Sequence, residues 1–134
     1  MNLAQHITEL AQRLALELKT RITADHPGVA KAWVCFGVIG TGNKASVVVR
    51  AGFNVHSVTR TSTGKFRVTF LNSMPDANYC WQAFTRNAGN QSAMKHAGAR
   101  ATAEAKTTQF VEVVCTTSNG TLTDTTEINL TVWR

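Results

Sequence analysis

The hydrophobic period of this chain changes once, at Asp25-His26-Pro27-Gly28, and the change separates two pieces of different secondary structure. Before it, the large apolar residues are Leu3, Ile7, Leu10, Leu14, Leu18 and Ile22, spaced four, three, four, four and four apart. That is the spacing of one helical stripe. Asn2 is placed to cap the helix, with Gln5 three residues on to reach back in a capping box. Glu9–Arg13 and Glu17–Arg21 are acid-before-base pairs at i, i+4, and Lys19 and Arg21 suit the negative end of the helix dipole. Pro27 and Gly28 stop the helix. A continuous helix of this length is marginal alone in water, so its stripe needs a partner. Two partners are open: copies of itself in a short parallel bundle, or the rest of the chain, onto which the helix would fold back.

After Gly28 the period falls to two. Ala30 to Ile39 reads as a strand apolar on both faces, Trp33, Cys35, Gly37 and Ile39 alternating with Val34, Phe36 and Val38, and is expected to be buried on both sides. Gly40-Thr41-Gly42-Asn43 is turn chemistry. Strands follow at 46–51 and 53–60, then the clearest half-buried one, Lys65 to Phe70, with Phe66, Val68 and Phe70 inward. Burial of those three side chains contributes roughly 1.5–3 kcal/mol each. A turn over Met74-Pro75-Asp76-Ala77-Asn78 leads into a strand at 79–84. The stretch from Thr85 to Thr107 reads as a long polar loop carrying Arg86, Asn87, Lys95, His96, Arg100 and Lys106 against the single acid Glu104. Strands at 109–116 and 127–133 close the chain, joined as a hairpin that starts at Ser118-Asn119-Gly120-Thr121. The expected fold is mainly β: an antiparallel sandwich of about seven strands over residues 28–134, preceded by one N-terminal helix and linker over residues 1–27.

Composition narrows function chiefly by exclusion. At 43% hydrophobic residues the chain can build a core. No stretch resembles a membrane span, and Glu9, Arg13, Glu17 and Lys19 interrupt any apolar signal-peptide core, so no membrane insertion or signal-directed export is expected. Cys35, Cys80 and Cys115 are far apart and odd in number, which reads as free, buried thiols rather than a disulfide framework or metal site. His6, His26, His56 and His96 have no ligand spacing. Gly40 to Ser46 lacks the glycine-to-Gly-Lys spacing of a phosphate loop and precedes a strand, not a helix. Asp76 and Asp124 sit in turn-like surroundings, and turn duty is the expected role of each. No cofactor, metal or catalytic constellation is announced, and the chain reads as a non-enzyme. The net charge of +6 is dispersed from Arg13 to Arg134 without a nucleic-acid-binding signature. A basic surface equally suits an acidic polysaccharide or a negatively charged protein, so charge alone does not choose among them, although a nucleic-acid partner is not the expectation.

Lys31-Ala32-Trp33-Val34-Cys35-Phe36, Val47 to Val55, Ser57-Val58-Thr59-Arg60 and Gly64 to Phe70 together resemble a module of phage tail-fibre and related virion proteins, whose pattern runs KAWVNFNGTG, IRASFNVSSIT, GTGDYTVNF. The likeness continues through Met74 to Tyr79, and Ile128 to Arg134 is similar to the module's closing strand. Leu3 to Ile7 and Leu10-Ala11 look like the opening helix of some phage tail proteins. The chain departs from the pattern at Cys35, where the family often has Asn, and over 85–107. The resemblance implies a homotrimeric β-sandwich fibre in the virion, made in the host cytoplasm, with other virion proteins (tail, baseplate or capsid) and a host-surface polysaccharide as partners. Leu3, Ile7, Leu10, Leu14 and Leu18 are then the oligomerisation residues. Arg86, Asn87, Lys95, His96 and Arg100 form the candidate ligand loop. A capsid decoration protein or head fibre is the second reading, because tail fibres usually have longer shafts, and a basic nucleic-acid-binding protein the third.

Overall fold

The computed structural model describes residues 1–21, 23–87 and 93–134. Helix α1 spans Leu3–Arg21. Its start is closed reciprocally: Gln5 N–H donates to Asn2 Oδ1 at 2.9 Å and Asn2 N–H to Gln5 Oε1 at 2.8 Å. Glu17 and Arg21 pair at 3.5 Å across one turn. No residue of α1 is buried, and the side chains of Leu3, Ile7, Leu10, Leu14 and Leu18 all stand in solvent. The helix is therefore not folded back onto the β region, and Ile22 lies outside the described residues.

Eight strands follow: β1 (Ala32–Ile39), β2 (Ser46–Phe53), β3 (Val55–Ser62), β4 (Lys65–Phe70), β5 (Cys80–Arg86), β6 (Lys95–Gly98), β7 (Phe110–Thr117) and β8 (Glu127–Trp133). They form two antiparallel four-stranded sheets, ordered β2-β1-β8-β5 and β3-β4-β7-β6. The two sheets pack as a β-sandwich, as the alternating pattern predicts. The core is the inner face of each sheet. Val34, Phe36 and Val38 of β1 and Ile128, Leu130 and Val132 of β8 meet Phe66, Val68 and Phe70 of β4 and Val111, Val113 and Cys115 of β7. Phe36 meets Phe66 edge-on, ring centroids 5.3 Å apart.

The chain passes between sheets at Asn54, which holds the left-handed conformation at φ 54°. Asparagine tolerates that region better than most residues, and here its side chain also fastens the corner. Asn54 Nδ2 donates to the carbonyls of Lys31 (2.9 Å) and Asn72 (3.2 Å), and Asn54 Oδ1 accepts from the Asn72 N–H at 2.7 Å. Gly37 is required for a different reason: a Cβ there would lie 1.8 Å from the Thr126 carbonyl oxygen, where the chain enters β8.

Four expectations are corrected. β7 and β8 are not a hairpin; they belong to different sheets, and 118–126 carries the chain across the sandwich. The stretch 85–107 is not one loop: β5 runs to Arg86 and β6 (Lys95–Gly98) pairs with β7, an edge strand too short and too poor in apolar residues to show a period. Its residues 88–92 lie outside the described residues. β1 is buried on one side only, because a two-layer sandwich covers one face of each sheet; Trp33 is 41% exposed. Of the three free thiols, Cys115 is buried, Cys35 half-buried and Cys80 exposed, since Cys80 falls on the outer face of β5.

Tyr79, the single tyrosine of the chain, is buried below the core with its hydroxyl donating toward the carbonyls of Thr107 (2.9 Å) and Phe110 (3.1 Å). Burial pushes its phenol up to about 12, against a smaller opposing effect of the Thr107 hydrogen bond. The neutral form is thus favoured by folding, so its contribution is complete below the usual value near 10 and is lost as pH rises through about 12. Phenolate absorbance of the folded chain should therefore rise about two pH units later than in denaturant. Tyr79→Phe, which leaves two carbonyls without that donor, should lower unfolding free energy by about 1–3 kcal/mol in urea titration.

Candidate functional site

Strand direction sorts the connections to two ends of the sandwich. At the end where the chain enters from α1 lie the linker 24–31, the Asn54 corner, the loop 71–79, the segment 107–109 and Arg134. At the opposite end lie the β1–β2 turn with its 3-10 turn over Gly42–Lys44, the β3–β4 turn, the start of the β5–β6 connection and the crossing segment 118–126. Each end holds a cleft. The one near α1 has a volume of about 980 Å³ and is largely apolar, with Phe53, Val55, Leu71, Met74 and Pro75 in its wall. The distal one, about 350 Å³, is lined by Thr41, Arg60, Thr63, Asn87, Lys95, Asp124, Thr125 and Thr126 among others.

The distal cleft is built around one ion pair. Arg60, near the end of β3, donates from Nε to both carboxylate oxygens of Asp124 (3.0 and 3.1 Å) and from Nη2 to Oδ2 (2.8 Å) and to Thr63 Oγ1 (2.9 Å). Asp124 Oδ1 also accepts the Gly64 N–H at 2.9 Å. Gly64 turns the chain at φ 68°, and a Cβ there would lie 2.6 Å from Thr123 N, so the turn that presents this N–H needs glycine. Lys95, at the start of β6, donates from Nζ to the Asp124 carbonyl. Thr125 and Thr126 hydroxyls donate to the Arg86 carbonyl at 3.1 and 3.3 Å, tying the crossing segment to the end of β5. Burial opposes ionisation of Asp124. The hydrogen bonds from Arg60 and Gly64, with the charges of Arg60 and Lys95, outweigh it and hold the carboxyl below the usual carboxylate range. The result is a preorganised recess of one guanidinium, one ammonium, one carboxylate, an amide and several hydroxyls. Such a set can exchange hydrogen bonds with a polyhydroxylated ligand on several sides at once.

The candidate ligand residues do not gather in one place. Asn87 and Lys95 line the distal cleft; Arg86 adjoins it at the end of β5, its side chain 4.0 Å from Glu127. His96 is exposed on β6, paired with Thr116. Arg100 lies over the outer face of the β3-β4-β7-β6 sheet, in a 2.5 Å ion pair with Glu104, which stands beside Lys65; the pair holds the Glu104 carboxyl below its usual range. Arg60, Thr63 and Asp124 were not expected here. In sequence Arg60 ends the strand expected at 53–60, and Asp124, some sixty residues away, reads as a turn former; the register places Arg60 opposite Phe66, on the inward side of β3. The only local signal is an acid among threonines at 121–126. Asp76 does perform turn duty, accepting the Asn78 N–H at 2.7 Å, and also binds Arg134.

Asp124 stabilises the fold while ionised. Its contribution is present above the unfolded carboxyl value, near 3.9, and is lost as pH falls through its lower folded value. Asp124→Asn should lower unfolding free energy by about 2 kcal/mol at pH 7. The deficit should shrink on acidification below pH 4, in chemical denaturation run at both pH values.

Among the described residues, no helix is long and apolar enough to cross a membrane, and no three of His, Cys, Asp or Glu come together as metal ligands. No family model, no curated protein and no solved structure matches the chain.

Proposed function

We propose that this chain is a phage virion structural protein, a short homotrimeric tail fibre in which α1 joins three copies and the β-sandwich head meets a host-surface polysaccharide. The observation that carries the reading is polarity: an unburied leucine stripe at one end of the molecule and a preorganised polar cleft at the other. The stripe leaves Leu3, Ile7, Leu10, Leu14 and Leu18 in water, and a helix this short gains its stability from a partner surface. Parallel self-association removes that stripe from water and points the heads the same way. Three weak distal contacts then add through effective concentration rather than through any one tight site. The likeness of residues 31–79 to phage tail-fibre modules supports placing the chain in a virion, and with it a location in the particle after synthesis in the host cytoplasm.

Six arginines, Arg21, Arg60, Arg67, Arg86, Arg100 and Arg134, are engaged with carboxylates. That favours a polar, hydroxyl-rich ligand over a nucleic acid, which needs clustered cations facing outward.

Light scattering of the full chain should give three times the monomer mass, and Leu10→Glu with Leu14→Glu should reduce it to one. A monomer before substitution removes the avidity mechanism. In purified particles, gold-labelled antibody should mark the tail; label on the shell would replace the tail-fibre assignment with capsid decoration. Lys95→Ala with Asn87→Ala should slow adsorption to host cells at least tenfold, and unchanged adsorption would take the distal cleft out of the mechanism.

A further inference from the structure

The two outer faces of the sandwich differ in chemistry. On the β3-β4-β7-β6 sheet the outward residues include Ser57, Thr59, Lys65, Arg67 and Glu112, with Arg67 bound to Glu112 at 2.7 Å and stacked 4.1 Å over Phe110. The chain covers part of this face itself. Ala103 and Glu104 lie over it beside Lys65, Arg67 and Glu112, and Ala105 runs along the edge of β7, its N–H donating to Glu112 Oε2 at 2.8 Å and its carbonyl accepting the Glu112 N–H at 2.9 Å. This is a finished, solvated surface.

The outer face of the β2-β1-β8-β5 sheet is not finished. Register puts Phe53, Trp33, Thr131 and Gln82 in one row across the four strands, and Ala51, Cys35, Asn129 and Phe84 in the next, with Trp133 beside Cys80 at the end of β8. Neither row contains a charged residue; Arg50, whose Nη2 donates to the Thr126 carbonyl at 2.7 Å, Arg86 and Glu127 come toward the distal end of the sheet. Trp33 is 41% exposed, Phe53 55% and Phe84 69%. With 150–250 Å² of surface on each aromatic side chain, these three alone leave roughly 300 Å² of ring surface in water. A soluble monomer rarely leaves more than a few hundred Å² of contiguous apolar surface uncovered.

We propose that this face, centred on Trp33, Phe53 and Phe84, packs against a second copy of this chain, so that the heads as well as the helices are joined. The packing presupposes the helix-driven assembly proposed above. Two features select a copy of the chain as the occupant. The uncharged rows lie at the α1 end of the sheet, and Phe53 also walls the apolar cleft there with Leu71. Helices joined in parallel would bring these ends of the heads together, since the chain passes from α1 into β1 at this end. A stable interface takes about 800 Å² from each side, more than the three rings supply. Phe53 joins the face to the apolar cleft rim, and three copies held by their helices would bury both among themselves. Absence of charge from these two rows removes the electrostatic cost of bringing identical surfaces together there.

Cys80 reports on this face without any substitution. It is exposed in the single chain and sits in the pair Cys80–Trp133. Cys115, buried with its thiol pushed up to about 11, stays silent toward iodoacetamide at pH 8. The full chain is alkylated over a range of concentrations spanning its assembly, with mass followed by light scattering and each thiol by peptide mapping. The expected result is at least a tenfold slowing of Cys80 on assembly, and recovery of the fast rate in Phe84→Glu, whose exposed position does not burden the fold. A trimer in which Cys80 reacts as fast as in the dilute monomer overturns the head contact and leaves the helix bundle standing. A chain that is monomeric throughout overturns both. Protection found in particles but absent from the free trimer also overturns the proposal, assigning the face to another virion component.

Discussion

The contact between β1 and β4 organises this molecule. Val34, Phe36 and Val38 enter the core from one sheet, Phe66, Val68 and Phe70 from the other, and Phe36 lies edge-on to Phe66 at the centre. Because side chains alternate along each strand, placing those six inward decides which residues of both strands face out. The remaining strands are hydrogen-bonded outward from this pair, and the two orders β2-β1-β8-β5 and β3-β4-β7-β6 stack strand over strand. The chain then crosses between sheets four times within the head, and those crossings, more than the strands, bring distant residues together.

Polar interactions are placed where crossings need holding. Asn54 fastens the passage from β2 to β3 through three hydrogen bonds to Lys31 and Asn72. Arg60 and Asp124 fasten the crossing from β7 to β8 against the β3–β4 turn. Arg134 and Asp76 join the last residue to the loop before β5. The carboxyls of Asp76, Glu104, Glu112 and Asp124 are all held below their usual range, with arginine hydrogen bonds contributing to each. Stability and site construction are not separable here: the pair that closes the distal end of the sandwich also forms the floor of its cleft.

The head therefore has distinct surfaces with separate work to do. Its polar outer sheet face is covered in part by its own chain, its apolar outer sheet face is bare, and its two ends carry clefts of opposite character. An unpartnered helix stripe and a bare aromatic sheet face are both costly in water, and both are relieved by the same event, association of identical chains. The distal cleft stays free in that arrangement, since it lies at the end away from α1.

Much of the architecture was legible because it rests on period and local chemistry. A spacing of three and four from Leu3 to Leu18, closed by Asn2 and Gln5 and stopped near Pro27, determines a helix with a sticky stripe. Alternation at 65–70 and 127–133 determines strands with a known inner face, and hence a two-layer β fold. The candidate site was legible only in part. Asn87 and Lys95 stood out as polar residues in a polar stretch, whereas Arg60 and Asp124 carried no mutual signal, being at the end of a strand and in a turn some sixty residues apart. The sequence by itself determined the elements and their inward faces, because those follow from contacts between residues three, four or two apart. Tertiary structure alone decided that β7 and β8 belong to different sheets, that β6 exists, that Lys95 lines the distal cleft while Arg100 pairs with Glu104 beside Lys65, and that Trp33, Phe53 and Phe84 share one bare face. Those outcomes depend on which strand lies beside which, a choice made by the whole core at once and encoded in no single stretch of the chain.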